Sequence, residues 1–320
     1  MFEPTTHHSQ ILALKWCGPS SVREEEEKSR FLIRKVLYIF SQLAARDDLK
    51  PCDEVNELYS SLVSICTQPV SEEFSKAIQE DPEIIRILHR LREICSEIEF
   101  HAESHWSVKA AGTDESTEQG QNYDSIILTE VYERIQNIPN LDVNSSLVNT
   151  ELTAMRKVEQ KQIKKIAIIG SGPLPLTGLG LIGIFSEEPT NIQTMNIDRD
   201  SDAIEVSKKL CKRLGSKAKG MDFLCAQAGS DLDLAEYDAV YLAILVGSTQ
   251  QEKEILLKNV ASKMRPGAML IIRGATKLRS LMYSVFDPTT DSVSEILDVE
   301  LVVYPRDHYI VDSVIIGRVK

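Results

Sequence analysis

From about residue 164 the chain alternates between short β-rich runs and helical segments, and that alternation restricts it to sheets of parallel strands with helices packed on their faces. Ile166-Ala-Ile-Ile-Gly170 reads as a strand running into a glycine turn, and Ile192–Ile197 as a second strand ending at Asp198. Met221–Cys225, Ala239–Leu245 and Ala268–Arg273 supply three more, with helices such as Asp202–Leu214 and Gln250–Met264 between them. The pattern breaks at the end. Val299–Tyr304 and Tyr309–Ile316 are joined by Pro305-Arg-Asp-His308, which leaves no room for a crossover helix, so an antiparallel hairpin on the sheet edge is expected. Five α/β units with such a hairpin point to an α/β fold with a class I methyltransferase-like Rossmann sheet rather than an NAD-binding domain.

The front half has a different period. Residues 1–161 read as an all-α domain and residues 162–320 as the sheet domain. Ser21-Val-Arg-Glu24 is a capping box with an acidic first turn, and Phe31, Val36, Ile39, Phe40 and Leu43 follow at helical spacing. Asp53 caps a second helix, whose stripe is Val55, Leu58, Leu62, Val63 and Cys66. Pro82 opens a longer helix with Ile85, Leu88, Leu91, Ile94, Cys95 and Ile98 on its buried side. Gly112–Asn122 is apolar-free and reads as an exposed loop, with further helix over Asp124–Gln136 and Ser146–Lys161.

Composition narrows the partners. Of 320 residues, 42% are hydrophobic and 26% charged, so disordered and fibrous classes are excluded. A net charge of −12 argues against nucleic acid or an anionic membrane as the main partner, while leaving room for a local basic pocket. The longest apolar stretches, Leu174–Phe185 and Ala239–Gly247, fall short of a membrane span. The opening Met-Phe-Glu-Pro-Thr-Thr-His-His has no basic leader or apolar core, so a cytoplasmic protein is expected. The cysteines form no CxxC pair, and His101, His105 and His308 share no ligand spacing, so no metal is expected.

The candidate site begins at Gly170-Ser171-Gly172-Pro173-Leu174, after the first strand, where two glycines let the backbone approach a ligand closely. Pro175 stands where a dinucleotide fingerprint has its third glycine, which disfavours a pyrophosphate and is tolerated by a ligand without one. Asp198, 28 residues after Gly170, is placed to accept both ribose hydroxyls of an adenosyl group. Ala226 and Gln227 fall where such sheets meet an adenine ring, and Ala243–Val246 faces the ligand crevice. S-adenosylmethionine is therefore expected over NAD.

These residues resemble a known family. IAIIGSGPLPLT at 166–177, YDAVYLAILVG at 237–247, MRPGAMLIIR at 264–273 and DSVII at 312–316 are similar to blocks of nicotianamine synthase. So are DEVNELYSSLVSIC at 53–66 and LREICSEIEFHAESHWS at 91–107. The resemblance implies a helical domain set over a domain that binds S-adenosylmethionine. It implies condensation of aminocarboxypropyl groups into nicotianamine by three transfers, one of them closing an azetidine ring, with methylthioadenosine released, for metal homeostasis. S-adenosylmethionine is then substrate, and no metal is held by the enzyme. The resemblance points to Glu99 as the carboxylate that orients and deprotonates the attacking amine, with Glu97 and then Glu103 behind it. Arg273 pairs either with a substrate carboxylate or with an acid at the sheet edge. The family's aromatic-rich segment matches Ile138-Pro139-Asn140-Leu-Asp142-Val-Asn144, which lacks tyrosine, leaving Asn140 and Asn144, with Leu245 and Val246, as substrate contacts. The readings that compete are a methyltransferase with a helical cap and a non-catalytic binding protein of the same fold.

Overall fold

The computed structural model describes residues 22–112, 147–159, 163–185, 192–243, 246–304 and 312–320. Four helices come first: α1 (Val22–Ala44), α2 (Asp53–Cys66), α3 (Glu72–Gln79) and α4 (Pro82–Ala111). Asp81 caps α4 by accepting from the Glu83 and Ile84 amides, Pro82 occupies its first turn, and Gly112, at φ 72°, ends it. Its 30 residues make a rod about 45 Å long. That length lets one helix serve two cores. Leu91, Ile94 and Ile98 lie in the core of the helical layer, and Trp106, Ala110 and Ala111 pack against Leu174, Leu210 and Leu214 beside the sheet.

Two positions assigned to buried faces by periodicity lie outside them. Phe31 and Ile85 are exposed, and the neighbouring Leu32 and Ile84 are buried instead. A one-residue shift of phase is enough, because neighbouring helical positions differ by about 100°. The cap of α2 is also displaced: Cys52 is the cap residue, without a side-chain bond, and Asp53 is the first helical residue.

The remaining elements are α5 (Leu147–Val158), β1 (Lys165–Ile169), α6 (Leu176–Phe185), β2 (Gln193–Asp198), α7 (Ser201–Leu214), β3 (Met221–Cys225), β4 (Ala239–Leu242), α8 (Gln250–Ala261), β5 (Met269–Ala275), a 3-10 turn at Lys277–Leu281, α9 (Asp291–Ser294), β6 (Leu297–Val303) and β7 (Asp312–Val319). They form one seven-stranded sheet in the order β3-β2-β1-β4-β5-β7-β6. β1 to β5 are parallel, and β7 runs antiparallel to both β5 and β6. The closing pair therefore does not simply extend the edge: its second strand inserts beside β5 and its first becomes the edge. Val314, Ile315 and Ile316 are all buried, so β7 suits an inner place, whereas β6 carries exposed acids and a bulge between Val299 and Leu301. No helix lies between β3 and β4, where the polar run from Ala226 to Asp238 makes turns instead.

Two packing results cut across the sequence reading. Val148, Leu152 and Met155 of α5 share a core with Ile166, Ile168 and Ile271, so this helix packs on the sheet. Ala275 at the end of β5, with Leu278, Leu281, Met282 and Tyr283 beyond the sheet, joins the core of α1 to α4. At roughly 1.5–3 kcal/mol for each large apolar side chain removed from water, that inserted segment is a substantial fastening between the layers. No helix among the described residues is long and apolar enough to cross a membrane.

Candidate active site

The loop from Gly170 to Leu174 lies at the carboxyl ends of β1, β2 and β4. Its Gly170 and Ser171 amides donate to Ile197 O at 2.8 and 3.1 Å, and its Gly172 amide donates to Asp198 Oδ2 at 2.9 Å. Asp198 Oδ1 accepts from the Asp200 amide at 3.0 Å. One carboxylate thus ties the glycine turn to the start of α7. From that helix the Ser207 hydroxyl reaches Gly172 O and Pro173 O, each at 3.0 Å. Gly170 and Gly172 sit at φ 81° and 67°, where a side chain is strained. A Cβ on Gly170 would stand 2.6 Å from Val246 Cγ2 and 3.1 Å from Ala243 Cβ. The sequence-assigned Gly170, Ser171, Gly172, Pro173, Leu174, Asp198, Ala243 and Val246 therefore come together. Ala226 joins them through its amide, which donates to Asp198 O at 2.8 Å, while the adjoining Gln227 is exposed.

Helix α4 crosses this loop. Glu103 Oε2 lies 2.6 Å from where a Cβ on Gly172 would be, so the glycine is what makes room for the carboxylate. Glu99 is one turn earlier on the same face. It accepts hydrogen bonds on one oxygen, Oε1, from the hydroxyls of Tyr59 on α2 and Tyr283 past the 3-10 turn. Glu97 faces elsewhere: it is exposed and lies 3.9 Å from His101 Nε2. Of the candidate acids, Glu103 thus lies against the glycine loop, Glu99 stands a turn away within reach of Glu103's charge, and Glu97 faces elsewhere.

Burial first, then the charges of Glu99 and Asp198, push the Glu103 carboxyl well above the usual carboxylate range. A carboxyl raised on folding contributes stability below its unfolded value of about 4.3 and loses it as pH rises through the folded one. Glu103→Gln is therefore expected to melt at a higher temperature than the unaltered protein near neutral pH, with the gap closing towards about pH 4. Thermal unfolding across that range checks it, and a gap independent of pH would contradict it.

Arg273 is committed elsewhere. Its Nε and Nη2 donate to Glu151 Oε1 and Oε2 at 2.6 and 2.9 Å, and Nη2 also reaches Thr177 Oγ1 at 3.0 Å. Of the two partners left open by the sequence, the structure thus supplies the protein's own acid, on α5. Asn140, Asn144, Leu245, His308 and the expected helix Asp124–Gln136 lie outside the described residues. Tyr59 and Tyr283 escaped the sequence reading. Tyr59 carried one usable signal, a phenol inside a buried stripe, since such a hydroxyl needs a partner.

Comparison with known proteins identifies the family. A family profile described as "Nicotianamine synthase protein" matches residues 24–320. Nicotianamine synthase of Solanum lycopersicum is 30% identical over 296 residues, spanning 90% of this chain and 83% of its own length. Nicotianamine synthase 9 of Hordeum vulgare is 30% identical over 305 residues, spanning 94% and 82%. Among solved structures, MtNAS in complex with MTA and tNA superposes with a TM-score of 0.69 at 17% identity, over 94% of this chain and 100% of that one. An MtNAS glutamate-to-glutamine variant with S-adenosylmethionine superposes with a TM-score of 0.67 at 18% identity, over 90% and 98%. With a profile match from the first helix to the last residue, and relatives 30% identical over more than four fifths of their own length, the chain belongs to the nicotianamine synthase family.

Proposed function

We infer that this protein is an aminocarboxypropyl transferase that condenses S-adenosylmethionine into nicotianamine, by three displacements at sulfur of which one closes the azetidine ring, each releasing methylthioadenosine. Family membership over residues 24–320 supports the reading. The observation that supports the chemistry is α4, which sets Glu103 against Gly172 of the loop that Asp198 ties down and carries Glu99 one turn earlier on the same face. In each transfer an amine lone pair attacks the γ-methylene carbon of the methionine part. The N–C bond forms as the C–S bond breaks, and the bonding pair stays on sulfur as a neutral thioether. The positive sulfur makes a good leaving group, so the protein's task is orientation and removal of the proton that the nitrogen sheds. Glu99 takes the role of that base. Asp198 accepts the ribose hydroxyls, and Ala226 and Gln227 border the adenine.

A front helical cap over a domain that binds S-adenosylmethionine belongs to the same reading, as does a cytoplasmic location. Purified protein incubated with S-adenosylmethionine alone is expected to release methylthioadenosine with no added acceptor, which chromatography resolves. S-adenosylhomocysteine in its place would identify a methyltransferase, and no turnover would identify a binding protein.

A further inference from the structure

Glu99 is gripped from both halves of the chain. Tyr59 comes from the helical layer and Tyr283 from the segment that leaves β5, 184 positions beyond Glu99, yet their hydroxyls meet the same carboxylate oxygen. Both side chains are buried, at 8% and 6% exposed. A carboxylate has only acceptors to offer, so both phenols donate. One donor leaves a carboxylate free to swivel about the bond that carries it, whereas two donors arriving from different elements hold its plane.

The second donor is delivered by a clamp. Lys277 occupies the left-handed region at φ 48°, an expensive conformation for a residue with a Cβ. Its Nζ donates to Val70 O at 2.7 Å, and its own carbonyl accepts from Gln79 Nε2 at 2.9 Å. Arg92, on α4 like Glu99, donates from Nε and Nη2 to Ser280 O at 3.0 and 2.6 Å. The Arg279 guanidinium lies over the Tyr283 ring, 4.9 Å from its centroid. The backbone of the loop after α2 and side chains on α3 and α4 thus hold the segment that carries Tyr283.

We propose that Tyr59 and Tyr283 are positioning residues that aim the Glu99 carboxylate at the amine of the acceptor substrate, and that this aim exists only while the segment after β5 is docked on the helices. The proposal rests on the transferase reading given above. Burial, followed by the Glu99 charge, pushes the Tyr59 hydroxyl well above its ordinary range, so it stays a donor at any working pH and takes no part as a base. The ligand class is a primary or secondary amine that reaches Glu99 as an ammonium.

Tyr59→Phe and Tyr283→Phe keep the rings, including the one under Arg279, and remove one donor each. Each is expected to lower kcat for methylthioadenosine release about tenfold, the effect of one hydrogen bond to a charged group. KM and the directly measured Kd for S-adenosylmethionine are expected to stay within about twofold, since no adenosyl contact changes. Tyr38→Phe, whose side chain is exposed on α1, is expected to leave turnover unchanged. In a Glu99→Gln background the two substitutions are expected to add nothing, because all three residues act through one group. A wild-type kcat in either variant would overturn the proposal. So would a parallel fall in kcat, substrate affinity and melting temperature, or an unchanged effect in the Glu99→Gln background. Absence of methylthioadenosine from the unaltered protein would instead overturn the transferase reading, so the two failures are distinct.

Discussion

Glu99→Gln is expected to slow methylthioadenosine release by about 10²- to 10⁴-fold, the usual worth of a positioned general base, while S-adenosylmethionine still binds. The amide keeps the shape of the carboxylate, and its oxygen still accepts from the hydroxyls of Tyr59 and Tyr283. Only the charge and the basicity are lost. An attacking ammonium then has neither a counter-ion nor a proton acceptor in place, and the nitrogen lone pair is not released. The adenosyl contacts assigned to Asp198 and the Gly170–Gly172 loop are untouched, so affinity measured by direct titration is expected to change little. Rapid-quench single turnover separates the effects. A variant that consumes S-adenosylmethionine at the original rate would remove Glu99 from the base's role.

Arg273→Ala is expected to lower the free energy of unfolding by about 3–5 kcal/mol, because it strands a buried carboxylate. Glu151 is fully buried, Arg273 is largely so, and their bidentate bond fastens α5 to the centre of the sheet. The guanidinium also lies 6.0 Å from the centroid of the buried Tyr241 ring. Burial and then the Glu151 charge push the Tyr241 phenol well above its ordinary range, and Arg273 partly opposes them. Replacing both partners by apolar residues of similar volume is expected to cost much less than removing either one, since no charge is then left alone. Urea unfolding of the single and double variants measures this. If Arg273 instead clamped a substrate carboxylate, Arg273→Ala would keep its stability and lose substrate affinity.

The parts of this arrangement that the sequence makes visible are those encoded over short distances. The strand–glycine turn at Ile166–Gly172 is local chemistry, and Asp198 ends the adjoining strand. The acids at Glu97, Glu99 and Glu103 share one helix, so their relation follows from helical spacing. Which of them faces the loop does not, because it depends on how α4 is rotated against α7. The same uncertainty of phase placed Ile85 inside and Ile84 nowhere. Arg273 meets its acid 122 positions away, and Tyr283 meets Glu99 184 positions away. No periodicity reports pairings of that kind. The first arises when α5 packs on the sheet, and the second when the segment after β5 crosses into the helical core, driven by the burial of Leu278, Leu281 and Met282.

A crystal structure of the protein with methylthioadenosine and its condensation product bound would examine the catalytic arrangement most directly. The expected result is a product nitrogen within about 3.2 Å of a Glu99 oxygen, hydrogen-bond reach for a base, with the thioether sulfur above Gly172 and the ribose on Asp198. A nitrogen more than about 5 Å from Glu99, beyond any direct hydrogen bond, or a product lying outside the cleft between α4 and the glycine loop, would contradict it.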